Sequence, residues 1–150
     1  MRHEHAGLSI PDFPAAYGQV WPKVDADSVA KYNLERAEHG LKPTTALYID
    51  MQMAHRAGAV LVTLGIALAV VALWRNPGTA PILRRWGAVW LGLVLVQVVL
   101  GACTIWTNKA ADVATTHVAV GALTLVTGAL LTAISWRLQW RAQLAPRGTL

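Results

Sequence analysis

The stretch AGAVLVTLGIALAVVALW, residues 57–74, holds 18 residues without a charge and is bracketed by Arg56 and Arg75. At a helical rise of about 1.5 Å per residue it covers about 27 Å, close to the thickness of a bilayer's hydrocarbon core. Two further stretches repeat the pattern: 23 uncharged residues lie between Arg85 and Lys109, and 24 between Asp112 and Arg137. Each reads as a membrane-spanning helix, and the fold class follows: all-α, an integral membrane helical bundle with three transmembrane helices, residues 47–74, 86–107 and 113–140. The whole composition agrees. Of 150 residues 55% are hydrophobic and 14% charged, where a soluble domain carries about 25% charge. The single cysteine, Cys103, lies inside a span and excludes a disulfide scaffold. A buried thiol in apolar surroundings is inert, so Cys103 is read as a packing residue.

Charge divides the chain in two. Residues 1–50 carry five basic and seven acidic side chains, and the remaining hundred carry eight and one. Seven of the 13 cations flank the spans, so the basic balance reflects membrane topology and no nucleic-acid partner is expected. The 75–85 loop has three arginines and no acid, and the tail has Arg137, Arg141 and Arg147. By the positive-inside rule both are cytoplasmic. Residues 1–46 are then an extracytoplasmic loop with a short surface helix, 47–140 the transmembrane part, and 141–150 a cytoplasmic tail, in a plasma (inner) membrane. Trp74, Trp86, Trp136 and Trp140 are expected in one aromatic belt and Trp106 in the other. No apolar run precedes the first fifty residues, so their translocation calls for one more helix, placed upstream of Met1 or supplied by a partner subunit or a second copy.

The first 22 residues hold three prolines and two glycines and read as an ordered loop. Residues 28–40 read as a surface helix, with Ser28 as cap, Val29, Tyr32 and Ala37 as an apolar stripe, and Gly40 as terminator. Gly58 and Gly65, like Gly121 and Gly128, recur seven residues apart and mark close packing of helix backbones.

Ionisable residues inside spans mark function by default. His55 lies 20 residues before Arg75 and His117 lies 20 before Arg137, so both imidazoles stand about 30 Å from the cytoplasmic helix ends. Their helices run in the same direction. Two neutral imidazoles at one depth can supply both axial ligands of a heme iron, or each can bond a helix carbonyl. Small residues surround them: Gly58 and Ala59 one turn from His55, Ala114 and Gly121 one turn from His117. Arg56 at the membrane edge is placed to pair with a propionate, and Thr104, Asn108 and Thr116 offer donors at that level. Zinc is disfavoured, because the spans offer no third and fourth ligand. His3, His5 and His39 read as solvated loop residues.

The segments AGLSIPDFPAAYGQVWP (residues 6–22), MAHRAGA (53–59), QVVLGACT (97–104) and ATTHVAVGAL (114–123) resemble, in order, the N-terminal half of heme A synthases, without that half's first transmembrane helix. The resemblance implies a membrane oxidoreductase for cytochrome oxidase assembly, which oxidises a methyl group of its substrate heme O to the formyl group of heme A. It implies two similar four-helix halves, each holding a heme (heme B, heme O or heme A) between a histidine pair. Carried onto this chain, the iron ligands are His55 and His117, with Arg56 also binding the cofactor and Gln52 bonding substrate or propionate. One departure affects the chemistry. Where the family commonly has a glutamate three residues before the first histidine, this chain has Gln52, and an amide cannot shuttle a proton. Asp50 points about 140° away from His55 on the helix. The resemblance therefore names no catalytic residue here. A bis-histidine b-type cytochrome module that carries electrons, and a non-catalytic assembly subunit, stand as alternatives.

Overall fold

The computed structural model describes residues 8–144, which form four helices: α1 (Ala26–Glu38), α2 (Ala46–Arg75), α3 (Pro81–Trp106) and α4 (Ala111–Leu144). The last three are long and apolar enough to cross a membrane. The second span starts at Pro81, five residues before Trp86, because proline is favoured in a first helical turn. Only 11%, 11% and 22% of their most apolar windows are buried within the chain. Such surface is compatible with lipid and not with water.

Each long helix divides between two compact units, Met1–Val62 with Val98–His117, and Thr63–Gln97 with Val118–Leu150. Within the second unit, Ile66, Val70 and Val94 form the core with Trp90 and Leu91. The Trp90 indole N–H donates to Thr124 O at 3.0 Å. Gly128 admits that ring: a Cβ there would stand 2.6 Å from Cζ2. A Cβ at Gly121 would meet the Gln97 amide at 2.8 Å, whereas Gly58 and Gly65 face nothing within 4 Å. The two glycines of α4 thus make room for side chains of α3, where close packing of helix backbones was expected, and those of α2 make room for nothing within 4 Å. Asn76, Pro77 and Gly78 turn the chain from α2 to α3, and Arg84 closes the turn by donating to Asn76 O at 2.8 Å.

The first unit is built around Ile10, Ala16, Tyr32, Ile49 and Met53. In α1 the cap is Asp25 and not Ser28. Its carboxylate accepts the Ser28 N–H at 2.9 Å and the Ser28 hydroxyl at 2.8 Å, and these bonds hold it below its ordinary pKa. Gly40 ends the helix as expected, at φ +65°, with Leu41 N–H returning to Arg36 O at 2.8 Å. The buried stripe differs from expectation: Tyr32 and Arg36 are buried and Ala37 is exposed. Arg36, one turn beyond Tyr32, donates to Lys42 O at 2.7 Å and to Leu8 O and Ser9 O at 3.0 Å. Without that guanidinium the carbonyls of Leu8 and Lys42 would lose this donor on folding, and Ser9 O would keep only the Tyr17 hydroxyl. Asn33 and Thr44 make a reciprocal pair, Nδ2 to Thr44 O at 3.1 Å and Thr44 N–H to Oδ1 at 2.7 Å, which ties α1 to the approach of α2.

Candidate functional site

The wall of the site is the first three turns of α2, where Gln52 and Arg56 stand one turn apart on one face. Gln52 is buried. Its carbonyl accepts the Ile10 N–H at 2.8 Å and its amide donates to Ile10 O at 3.2 Å, a two-way pairing of the kind one strand residue makes with another. An amide side chain supplies the donor and the acceptor that this pairing uses. Gln52 therefore holds the loop, and its amide is not directed to a ligand as the sequence suggested.

Arg56 holds the same loop one turn further along. Its Nη1 donates to Ala15 O at 2.8 Å and its Nη2 to Asp12 O at 2.6 Å, while its guanidinium carbon lies 5.5 Å over the Phe13 ring. Phe13 in turn meets Trp106 edge-on, with ring centroids 6.1 Å apart. The Asp12 carboxylate closes the next turn by accepting Tyr17 N–H at 2.8 Å and Gly18 N–H at 3.0 Å. That turn is a tight reversal with Ala16 and Gln19 exchanging backbone bonds of 2.8 and 3.0 Å, and both central residues, Tyr17 and Gly18, have positive φ. Tyr17 stacks on Tyr32 at 3.9 Å and 8° and donates its hydroxyl to Ser9 O. Burial raises the Tyr17 pKa, against the opposing effect of Arg36, and keeps the phenol protonated as a donor.

The two histidines are placed differently. His117 on α4 is half-buried, its Cε1 edge 3.4 Å from where a Cβ on Gly101 of α3 would stand. The imidazole thus packs against α3 at Gly101. His55 on α2 is exposed, next to Met51, which is 53% exposed, and to Gly58, which faces open space. Thr104 and Thr116, expected as donors to a ligand, instead donate to the carbonyls of Leu100 and Asp112, each at 2.8 Å. Cys103 is half-buried and free. His39 caps the C-terminus of α1 and is exposed, while His3 and His5 lie outside the described residues. Sequence reasoning missed Arg36 and Asn33, both of which organise the loop. The signal was present: a cation one turn beyond Tyr32 on the buried side of a short helix.

The COX15-CtaA family of cytochrome oxidase assembly proteins matches residues 20–129, a stretch that contains Gln52, His55, Arg56 and His117. This chain belongs to that family. Comparison with curated proteins and with solved structures gives no match. As a COX15-CtaA member with three helices fit to span a bilayer, the chain is assigned to cytochrome oxidase assembly, the heme A synthase family, at the membrane. The residues present fit a heme in the chemistry of their donors: two imidazole nitrogens in one unit, with open space at Gly58 beside His55.

Proposed function

We propose that this family member holds a heme through His55 and His117 and acts as a heme A synthase-like protein, oxidising a methyl group of heme O to the formyl group of heme A. The observation that carries the reading is the pair of histidines within one structural unit and within the family match. When bound, the heme supplies an iron centre and, as heme O, the methyl group to be oxidised. The chain's own contribution is to present two imidazoles and to fix the loop beside them. Arg56 and Gln52 act on the site through the 10–15 loop. Gln52, bonded both ways to Ile10, moves no proton. That bonding favours a second reading, a bis-histidine b-type cytochrome that passes electrons and leaves its heme unchanged.

The exposed side of α2 around His55 is where further helices, from a partner subunit or a second copy, would close the pocket, since an ionisable side chain facing lipid is costly. The arginine-rich 75–85 loop and tail favour a plasma-membrane orientation with residues 8–45 on the extracytoplasmic side.

The test is to purify the protein in detergent from cells that also make heme O, then to extract and weigh the bound heme. Heme A or its hydroxylated precursor supports the synthase reading; heme B or unchanged heme O alone removes it in favour of the cytochrome. His55→Ala and His117→Ala should each abolish low-spin bis-imidazole absorption, and retention of that absorption in both variants would overturn the ligand assignment.

A further inference from the structure

The tight reversal at residues 16–19 leads into the most exposed apolar pair of the first unit: Val20 is 94% and Trp21 57% exposed. Gly18 and Gln19 before them are exposed as well, and the projecting tip lies between Ala16 and Pro22, both fully buried.

Its depth can be read from the bonds that hold it. Arg56 is the last charge before the 18-residue uncharged run that ends at Arg75, and so marks one edge of the hydrocarbon core. Helical side chains lean toward the helix N-terminus, so the guanidinium rises from that edge into the headgroup layer. There it binds Asp12 O and Ala15 O. Phe13, between them, meets Trp106, a 62% exposed residue that ends α3, at the level where tryptophan anchors spans. Two independent ties therefore bring residues 12–15 to the headgroup layer. The Ala16 to Gln19 pairing then turns the chain back, so that Val20 follows directly on a reversal whose other arm is the tied 12–15 segment. Charge agrees with this depth. Between Asp12 and Asp25 the only charged side chain is Lys23, and a single cation suits a phosphate-bearing surface.

We infer that the 19–22 tip is a membrane-surface anchor, with Val20 and Trp21 inserted in the headgroup layer of the leaflet next to residues 8–45. The partner is the lipid surface. The anchor holds the loop from outside as Gln52 and Arg56 hold it from within, independently of any heme.

The experiment places a nitroxide spin label at Val20→Cys in a Cys103→Ala background and reconstitutes the full chain in phosphatidylcholine vesicles containing phosphatidylglycerol. Accessibility to oxygen and to a water-soluble nickel chelate is compared with a label at Lys31→Cys, an exposed position on α1. The label at 20 should be several-fold less accessible to nickel and more accessible to oxygen than the label at 31. Equal nickel accessibility at the two positions would overturn the anchor and leave the tip as a surface for a protein partner. Should the first variant fail to fold, a label at Trp21→Cys gives the same comparison.

Discussion

Replacing Gln52 by glutamate puts a carboxylate at this position at almost no change of volume, and the structure says what it will cost. The new side chain still accepts the Ile10 N–H, the bond of 2.8 Å, but in its ionised form it can no longer donate to Ile10 O, now 3.2 Å from the amide nitrogen. The position is only 7% exposed, so water does not readily replace the lost donor. Leaving one buried acceptor without its partner costs about 1–3 kcal/mol. Gln52→Ala removes both bonds and orphans the N–H and C=O of Ile10, at about twice that cost. The penalty falls on the opening of the 8–15 loop, so the assay is amide hydrogen exchange of the peptide containing Ile10, in detergent at constant pH. Protection at Ile10 should fall about 5- to 150-fold in Gln52→Glu and further in Gln52→Ala, with exchange in α3 and α4 unchanged. Unchanged protection of Ile10 in both variants would refute the clamp and return Gln52 to the ligand-binding role that the sequence suggested.

Further outcomes follow from the same geometry. Gly128→Ala drives a methyl to 2.6 Å from a Trp90 ring that is already bonded to Thr124 O; thermal unfolding in detergent should show a loss of about 1–3 kcal/mol, while Gly58→Ala, with nothing within 4 Å, should be close to neutral. Arg36→Lys keeps the charge and loses the fork that reaches Leu8, Ser9 and Lys42, so limited proteolysis should cut residues 8–45 faster than in the parent, with the spans intact. The depressed Asp25 carboxyl adds stability that is fully present above its ordinary value of 3.8 and is lost as pH falls through the lower folded value; α1 should loosen in acid in the parent, and Asp25→Ala should remove this part of the pH dependence, as read by exchange in the Ala26–Glu38 peptide.

The sequence by itself determined the spans. Three uncharged runs of bilayer length need no tertiary information, because every backbone polar group in lipid must be satisfied within its own helix; α2 and α4 agree with the expected spans to within a few residues, and α3 begins earlier only because Pro81 is a good first-turn residue. The sequence also determined the family, for the motifs around His55 and His117 lie inside the matched 20–129 stretch. Tertiary structure decided what the polar residues of the site are bonded to. Gln52, Arg56, Thr104 and Thr116 all looked available to a ligand, yet the first two hold loop carbonyls far away in sequence and the threonines bond their own helix. Spacing along a helix shows which face a side chain shares, but not which distant backbone group arrives there to use it. Arg36 shows the converse. A charge on a short surface helix reads as solvated until folding brings the carbonyls of Leu8, Ser9 and Lys42 within reach of one guanidinium, because burying those carbonyls requires donors and Arg36, 27 and 28 residues from Ser9 and Leu8, reaches all three.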